Sequence, residues 1–166
     1  MAKPLMWIGA VLLMGSAFFI LWRAGLPSNS DVTVENAVPA FQAHTLDGQA
    51  MTIPTGHPLV INFWATWCIP CIVEMPMLEG LHRAGQPVIG INAGLEDQPT
   101  IETWLMQNNI TLPIVLDQKR ELEALFRVQG LPMTFFIDEQ GMIQQVERGA
   151  LTPDSLAAGL AAIGIQ

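Results

Sequence analysis

Hydrophobicity along this chain takes three forms, and each predicts a different kind of element. Residues 4–22 (PLMWIGAVLLMGSAFFILW) form a long uncharged run between Lys3 and Arg23. As a helix it would extend about 28 Å, the thickness of a bilayer core. A polar, turn-prone stretch with Pro27, Ser28, Asn29, Ser30 and Asp31 follows and reads as a tether. Beyond it the apolar runs shorten to strand length. Residues 58–64 (PLVINFW) and 87–92 (PVIGIN) are almost continuously apolar, as strands buried on both faces are. Further strands are predicted at 41–46 and 50–53 around Asp47-Gly48, at 112–116, and at 132–138 and 142–148 around Glu139-Gln140-Gly141. Helices are predicted at 68–83, 99–108 and 119–127, the last ended by Gly130, and after Thr152, a capping residue followed by Pro153. Pro70 sits in the first turn of the first helix, where it is tolerated, and Pro76 falls inside it and predicts a kink. Strands alternating with helices, then a hairpin and a helix, describe an α/β domain: a mixed sheet with helices on both faces.

This pattern divides the chain into an N-terminal signal anchor at 1–23, a linker at 24–38 and a folded domain at 39–166. A cleaved signal peptide is the alternative for the first segment. Its apolar run exceeds the usual signal-peptide core of about 7–15 residues, and Arg23-Ala24-Gly25-Leu26-Pro27 is a poor cleavage site. The flanking charges lean toward a cytoplasmic N-terminus, which would put the folded domain on the far side of the membrane. All 15 acidic residues follow residue 30, opposed there only by Arg83, Lys119, Arg120, Arg127 and Arg148. So acidic a domain has no basic patch for nucleic acid and no attraction to anionic lipid. A solvated, solubilising surface accounts for the charge.

The chemistry concentrates in the only two cysteines, within Trp67-Cys68-Ile69-Pro70-Cys71. One pair is half of a structural zinc site, and a disulfide across so short a loop stabilises little. Redox exchange is the leading reading. Cys68 opens a predicted helix, whose free N–H groups and dipole favour a thiolate, so it is the expected nucleophile. Cys71, one turn on, is expected to be more buried and to resolve the mixed disulfide. Glu74 lies on the same helix face as Cys71 and is the candidate proton acceptor, its alternative being a first-turn acid that complements the dipole. Soft-metal binding is the rival: Cys68 and Cys71 with Met75, Met77 and Met133 form a donor set suited to Cu(I). Thr66 occupies the position where copper-chaperone loops usually carry Met. A peroxide-reducing enzyme would need a Thr three residues before the cysteine, and Ala65 stands there. His44, His57 and His82 share no spacing with one another or with the cysteines.

Residues 60–71 (VINFWATWCIPC) and 130–134 (GLPMT), the latter leading into Phe135-Phe136-Ile137-Asp138, resemble the thioredoxin superfamily. Asn62 stands where thioredoxin itself carries a buried Asp, and the strand 88–92 lacks that Asp's Lys partner. With Glu74-Met75-Pro76 after the cysteines, these features are similar to the membrane-anchored TlpA/ResA/CcmG (DsbE)-like thiol-disulfide oxidoreductases. The resemblance implies a thioredoxin fold with an N-terminal β-hairpin and an inserted helix-strand unit at 97–116, behind one transmembrane helix. It implies a cis peptide bond at Pro132 and a substrate surface formed by Trp67, Leu131 and Met133, although Met133 could equally fill a core gap. Leu131 and Met133 depart from the residues that flank this proline in the cytochrome-maturation branch. It further implies location on a bacterial inner membrane facing the periplasm. The implied substrates are oxidised periplasmic proteins such as apocytochrome c or metal-assembly thiols, and the implied electron donor is a membrane protein of DsbD/CcdA type. No cofactor or metal is implied.

Overall fold

A computed structural model describes residues 36–165. The predicted anchor and most of the predicted linker lie outside the described residues. Among the described residues no helix is long and apolar enough to cross a membrane.

The chain begins with a two-stranded hairpin, β1 (Phe41–His44) and β2 (Ala50–Ile53), paired antiparallel through Phe41↔Ile53 to His44↔Ala50. The central strand β3 (Leu59–Trp64) is buried at all six positions and leads to the helix α1 (Ile69–Arg83). β4 (Val88–Asn92), α2 (Gln98–Gln107), β5 (Ile114–Leu116) and the short α3 (Glu121–Leu125) follow. The chain closes with β6 (Met133–Ile137), β7 (Ile143–Arg148) and α4 (Pro153–Ala162). The main sheet has the order β5-β4-β3-β6-β7. β4 runs parallel to both β3 and β5, and β6 runs antiparallel to both β3 and β7, so the sheet is mixed.

Alternation along β3 explains the two layers. Val60 and Trp64 belong to a core shared with Met75 and Leu78 of α1, Ile101 of α2 and Leu156 of α4. Leu59, Ile61 and Phe63 belong to a second core, covered by Met51 of the hairpin, Leu122 of α3 and Phe126. The second core is aromatic at its centre. Phe126 packs against Phe41, Phe63 and Phe135 with ring centroids 5.7, 5.3 and 5.0 Å apart, edge-on or tilted as ring quadrupoles favour. Helices therefore cover both faces, as the sequence pattern predicts.

The ends of the elements depart from the sequence pattern where backbone partners decide. Residues 36–38, assigned to the linker, already join the sheet: Ile143 N donates to Asn36 O at 2.9 Å and Val38 N to Gly141 O at 2.8 Å. The third helix, expected over 119–127, shrinks to five residues. Asp117 accepts the amides of Leu122 and Glu123, and left-handed Arg120 and Arg127 bound the segment. α1 continues through Pro76, which lies on its exposed side.

The far end of α1 is clamped by a buried acid. Glu79 accepts the Thr111 and Leu112 amides at 2.7 and 2.9 Å, the Thr111 hydroxyl at 2.6 Å and Arg83 Nε at 2.6 Å. Burial alone would push this carboxyl up. The Thr111 hydroxyl, Arg83 and the two amides outweigh it and hold the pKa at about 2, against an ordinary 4.5. A depressed folded pKa contributes stability that is fully present above about pH 4.5 and is lost as pH falls toward 2. Glu79→Gln should therefore cost about 3 kcal/mol at pH 7, and the gap to the parent protein should close between pH 4.5 and 2. Urea unfolding across that range measures it; a gap independent of pH would contradict the clamp.

Candidate active site

β3 delivers the chain to the site. After Trp64 the backbone turns through Ala65, Thr66 and Trp67, with Cys68 N donating to Ala65 O at 3.2 Å. Cys68 is the N-cap of α1, in extended conformation, and its sulfur accepts the amide of Cys71 at 3.4 Å. Pro70 lies in the first turn, where it sacrifices no helical hydrogen bond. Cys68 and Cys71 form a disulfide with Cα atoms 5.3 Å apart. Cys71 is the more buried residue, as expected, at 0% exposure, and Cys68, expected nearer the surface, is itself sheltered at 5%. The solvent-facing surface belongs instead to the apolar neighbours Trp67, Ile69, Val73 and Leu95.

The loop before the cysteines is held by residues that sequence reasoning missed. Glu96 Oε1 accepts the Thr66 amide at 2.8 Å and also the Thr66 hydroxyl. The Trp67 indole N–H donates to Gly94 O at 3.2 Å. Gly94 has to lack a side chain: a Cβ there would collide with the Glu96 carboxylate and lie 2.7 Å from Ala65 Cβ. No motif marks Gly94 or Glu96, because their partners lie some 30 residues earlier in the chain.

Behind the disulfide lies a row of polar positions in an otherwise apolar layer. Gly90, Asn62, Thr134 and Glu147 are successive cross-strand partners on β4, β3, β6 and β7. Asn62 Nδ2 donates to Thr134 Oγ1 at 2.9 Å and to Glu74 Oε1 at 2.8 Å. Glu74 Oε2 accepts the Leu151 amide at 2.6 Å. Asn62 Oδ1 is buried and accepts no hydrogen bond. Glu74, at 1% exposure, is thus tied to the sheet from the same helix that carries the cysteines. Burial pushes its carboxyl up from the ordinary 4.5; the Leu151 amide and Asn62 oppose this, and the charge of Glu147 adds to it.

The other sequence candidates fall as follows. Leu131–Pro132 is a cis peptide bond and Pro132 is buried, its carbonyl accepting the Gly149 amide at 3.0 Å. A second cis bond, Ile53–Pro54, was not anticipated. Leu131 is half-buried and packs against both cores, the one that contains the cysteines and the one on the other face of the sheet. Met133 does not join the cysteines. It is 3% exposed and packs with Phe63 and Phe135 in the other core, so it fills the core rather than lining a groove. The soft-donor set of two cysteines and three methionines is therefore divided, with Met75 in the cysteine core and Met133 in the other. Trp64 is fully buried against Trp104, with centroids 5.1 Å apart. His44 and His57 are exposed and His82 is half-buried near the end of α1.

The upward shift of Glu74 has a consequence for stability. A carboxyl whose folded pKa exceeds its unfolded value binds its proton more tightly in the fold. Ionising it costs stability, and the cost appears as pH rises from about 4.5 through the folded value. Glu74→Gln should therefore gain in Tm relative to the parent as pH rises over that interval, with both proteins oxidised. Calorimetry between pH 4 and 8 reads this directly, and a constant Tm difference would contradict it.

Known proteins resemble this chain in sequence and in fold. The AhpC/TSA family matches residues 34–146. Sporulation thiol-disulfide oxidoreductase A of Bacillus subtilis is 29% identical, over 88% of this chain and 90% of its own length. Thiol-disulfide oxidoreductase ResA of Geobacillus thermodenitrificans is 28% identical, over 92% of this chain and 91% of its own. Among solved structures, MTB DsbF in its mixed oxidised and reduced forms superposes with a TM-score of 0.68 at 29% identity, covering 79% of this chain and 99% of that one.

Proposed function

The chain belongs to the AhpC/TSA family and is a thiol-disulfide oxidoreductase, and from that premise we propose that it reduces disulfides in proteins outside the cytoplasm. The observation that carries the direction is the buried Glu74 carboxyl, on the same helix as the cysteines and with its pKa raised. Reduction requires a base for the Cys71 thiol, and a carboxylate with a raised pKa is a better base than an ordinary one.

In this reading the Cys68 thiolate attacks a substrate disulfide, forming a mixed disulfide and releasing the first substrate thiolate. Cys71 then gives its proton to Glu74 and its thiolate attacks the Cys68 sulfur. The mixed disulfide breaks, the second substrate thiolate leaves, and the Cys68–Cys71 disulfide forms. Two electrons pass from the dithiol to the substrate, and a membrane thiol donor of DsbD/CcdA type returns them. Trp67 and Leu131, flanking the cysteines, supply apolar contact for an extended substrate segment, and buried Pro132 shapes the floor beside them. The uncharged run at 4–22 supports anchoring in an inner membrane with the domain facing the periplasm. Oxidised apocytochrome c or metal-assembly thiols are substrates of suitable chemistry.

Cys71→Ser expressed in cells should accumulate mixed disulfides on Cys68 that dissolve in reductant, and their partners identify the substrates. Cys68→Ser should accumulate none. Trapping on Cys71 instead of Cys68 would reverse the assignment. In a disulfide-reduction assay Glu74→Gln should be at least tenfold slower near neutral pH and lose one limb of the pH–rate profile. An unchanged profile would remove Glu74 from the mechanism.

A further inference from the structure

Glu147 is the acid in the polar row that the mechanism leaves unused. It sits on β7 directly opposite Thr134, and Thr134 is directly opposite Asn62, the residue that holds Glu74. Register therefore places Glu147 on the α1 side of the sheet, two strands from Asn62. It is half-buried, whereas Glu74 is sealed at 1% exposure. Charges facing this spot come from few directions among the described residues. α1 contributes Cys71 and, further along, Glu79, which is already bound to Arg83 and Thr111. β3 and β6 contribute Asn62 and Thr134, which do not titrate. Arg148, the next residue on β7, pairs with Met133 and lies on the opposite face. α4 adds only exposed Asp154 in its first turn.

Resting on the role given to Glu74 above, we propose that Glu147 is a positioning residue for the reaction: as a like charge on the sheet face against which Glu74 packs, it governs the proton transfer between Cys71 and Glu74. The physical reason is that a second negative charge in a poorly solvated layer disfavours the ionised form of the first. Burial raises the proton affinity of Glu74, the Leu151 amide and Asn62 lower it, and the Glu147 charge restores part of what they remove, so the conjugate base is a stronger acceptor for the Cys71 thiol than it would be without Glu147.

The test is the pH–rate profile of disulfide reduction by the full chain, with insulin as the probe substrate, for the parent, Glu147→Gln, Glu147→Asp and Glu74→Gln. Removing the charge in Glu147→Gln should move the Glu74 limb toward acid by roughly half a pH unit or more. Glu147→Asp, which keeps the charge, should stay near the parent. The proposal falls if Glu147→Gln superimposes on the parent while Glu74→Gln abolishes the limb. It also falls if the Asp variant shifts as far as the Gln variant, since shape rather than charge would then be responsible. A limb that survives in Glu74→Gln overturns the role of Glu74 and this inference together.

Discussion

The structure depends on a carboxyl group buried between a helix and a sheet. Glu74 projects from α1 into the layer that covers β3 and β6, where an unpaired carboxylate would be strongly disfavoured. Two N–H groups make the position tenable, one from Asn62 on the central strand and one from Leu151 after the last strand. These bonds join α1 to segments 12 and 77 residues away in sequence. They hold the first turns of the helix, and so the cysteines, against the sheet. The bonds favour the charged form and burial opposes it, and burial wins. The group that anchors the helix is thereby also one whose affinity for its proton the fold raises.

The surroundings serve the same end. Parallel pairing of β3 with β4 aligns the end of β3, where the cysteine loop begins, with the end of β4, where Gly94 and Glu96 follow. Glu96 and Gly94 grip Thr66 and Trp67 there, so the loop is held from the side while Glu74 holds the helix from behind. The opposite end of α1 is fixed by Glu79, whose carboxylate is favoured rather than disfavoured because four donors surround it. Two acids on one helix thus shift in opposite directions: burial outweighs the two donors to Glu74, and four donors outweigh burial at Glu79.

Much of this was legible in the sequence. The continuous apolar run of β3, the C-x-P-C at a helix start and Thr152-Pro153 before the last helix are local patterns, and local patterns report local structure. Glu74 could be picked out because three residues along a helix return to the same face. Met133 could not be placed, because either face of a strand suits a methionine and only the register Phe63↔Met133 decides which core it enters. The length of α3 was overestimated because its ends are set by Asp117 and by left-handed backbone at Arg120 and Arg127, not by hydrophobic spacing.

The sequence by itself determined the order of the elements, the pair of cysteines and the proline that faces them in the resembling family. These follow from periodicity, from turn chemistry and from residues whose reactivity does not depend on distant neighbours. The tertiary structure alone decided which polar groups share the buried layer. Asn62, Thr134 and Glu147 become neighbours only through strand register, and Glu96 meets Thr66 only because β3 and β4 end side by side. A carboxyl's affinity for its proton is set by what surrounds it in space, and the order of residues along a chain does not contain that directly.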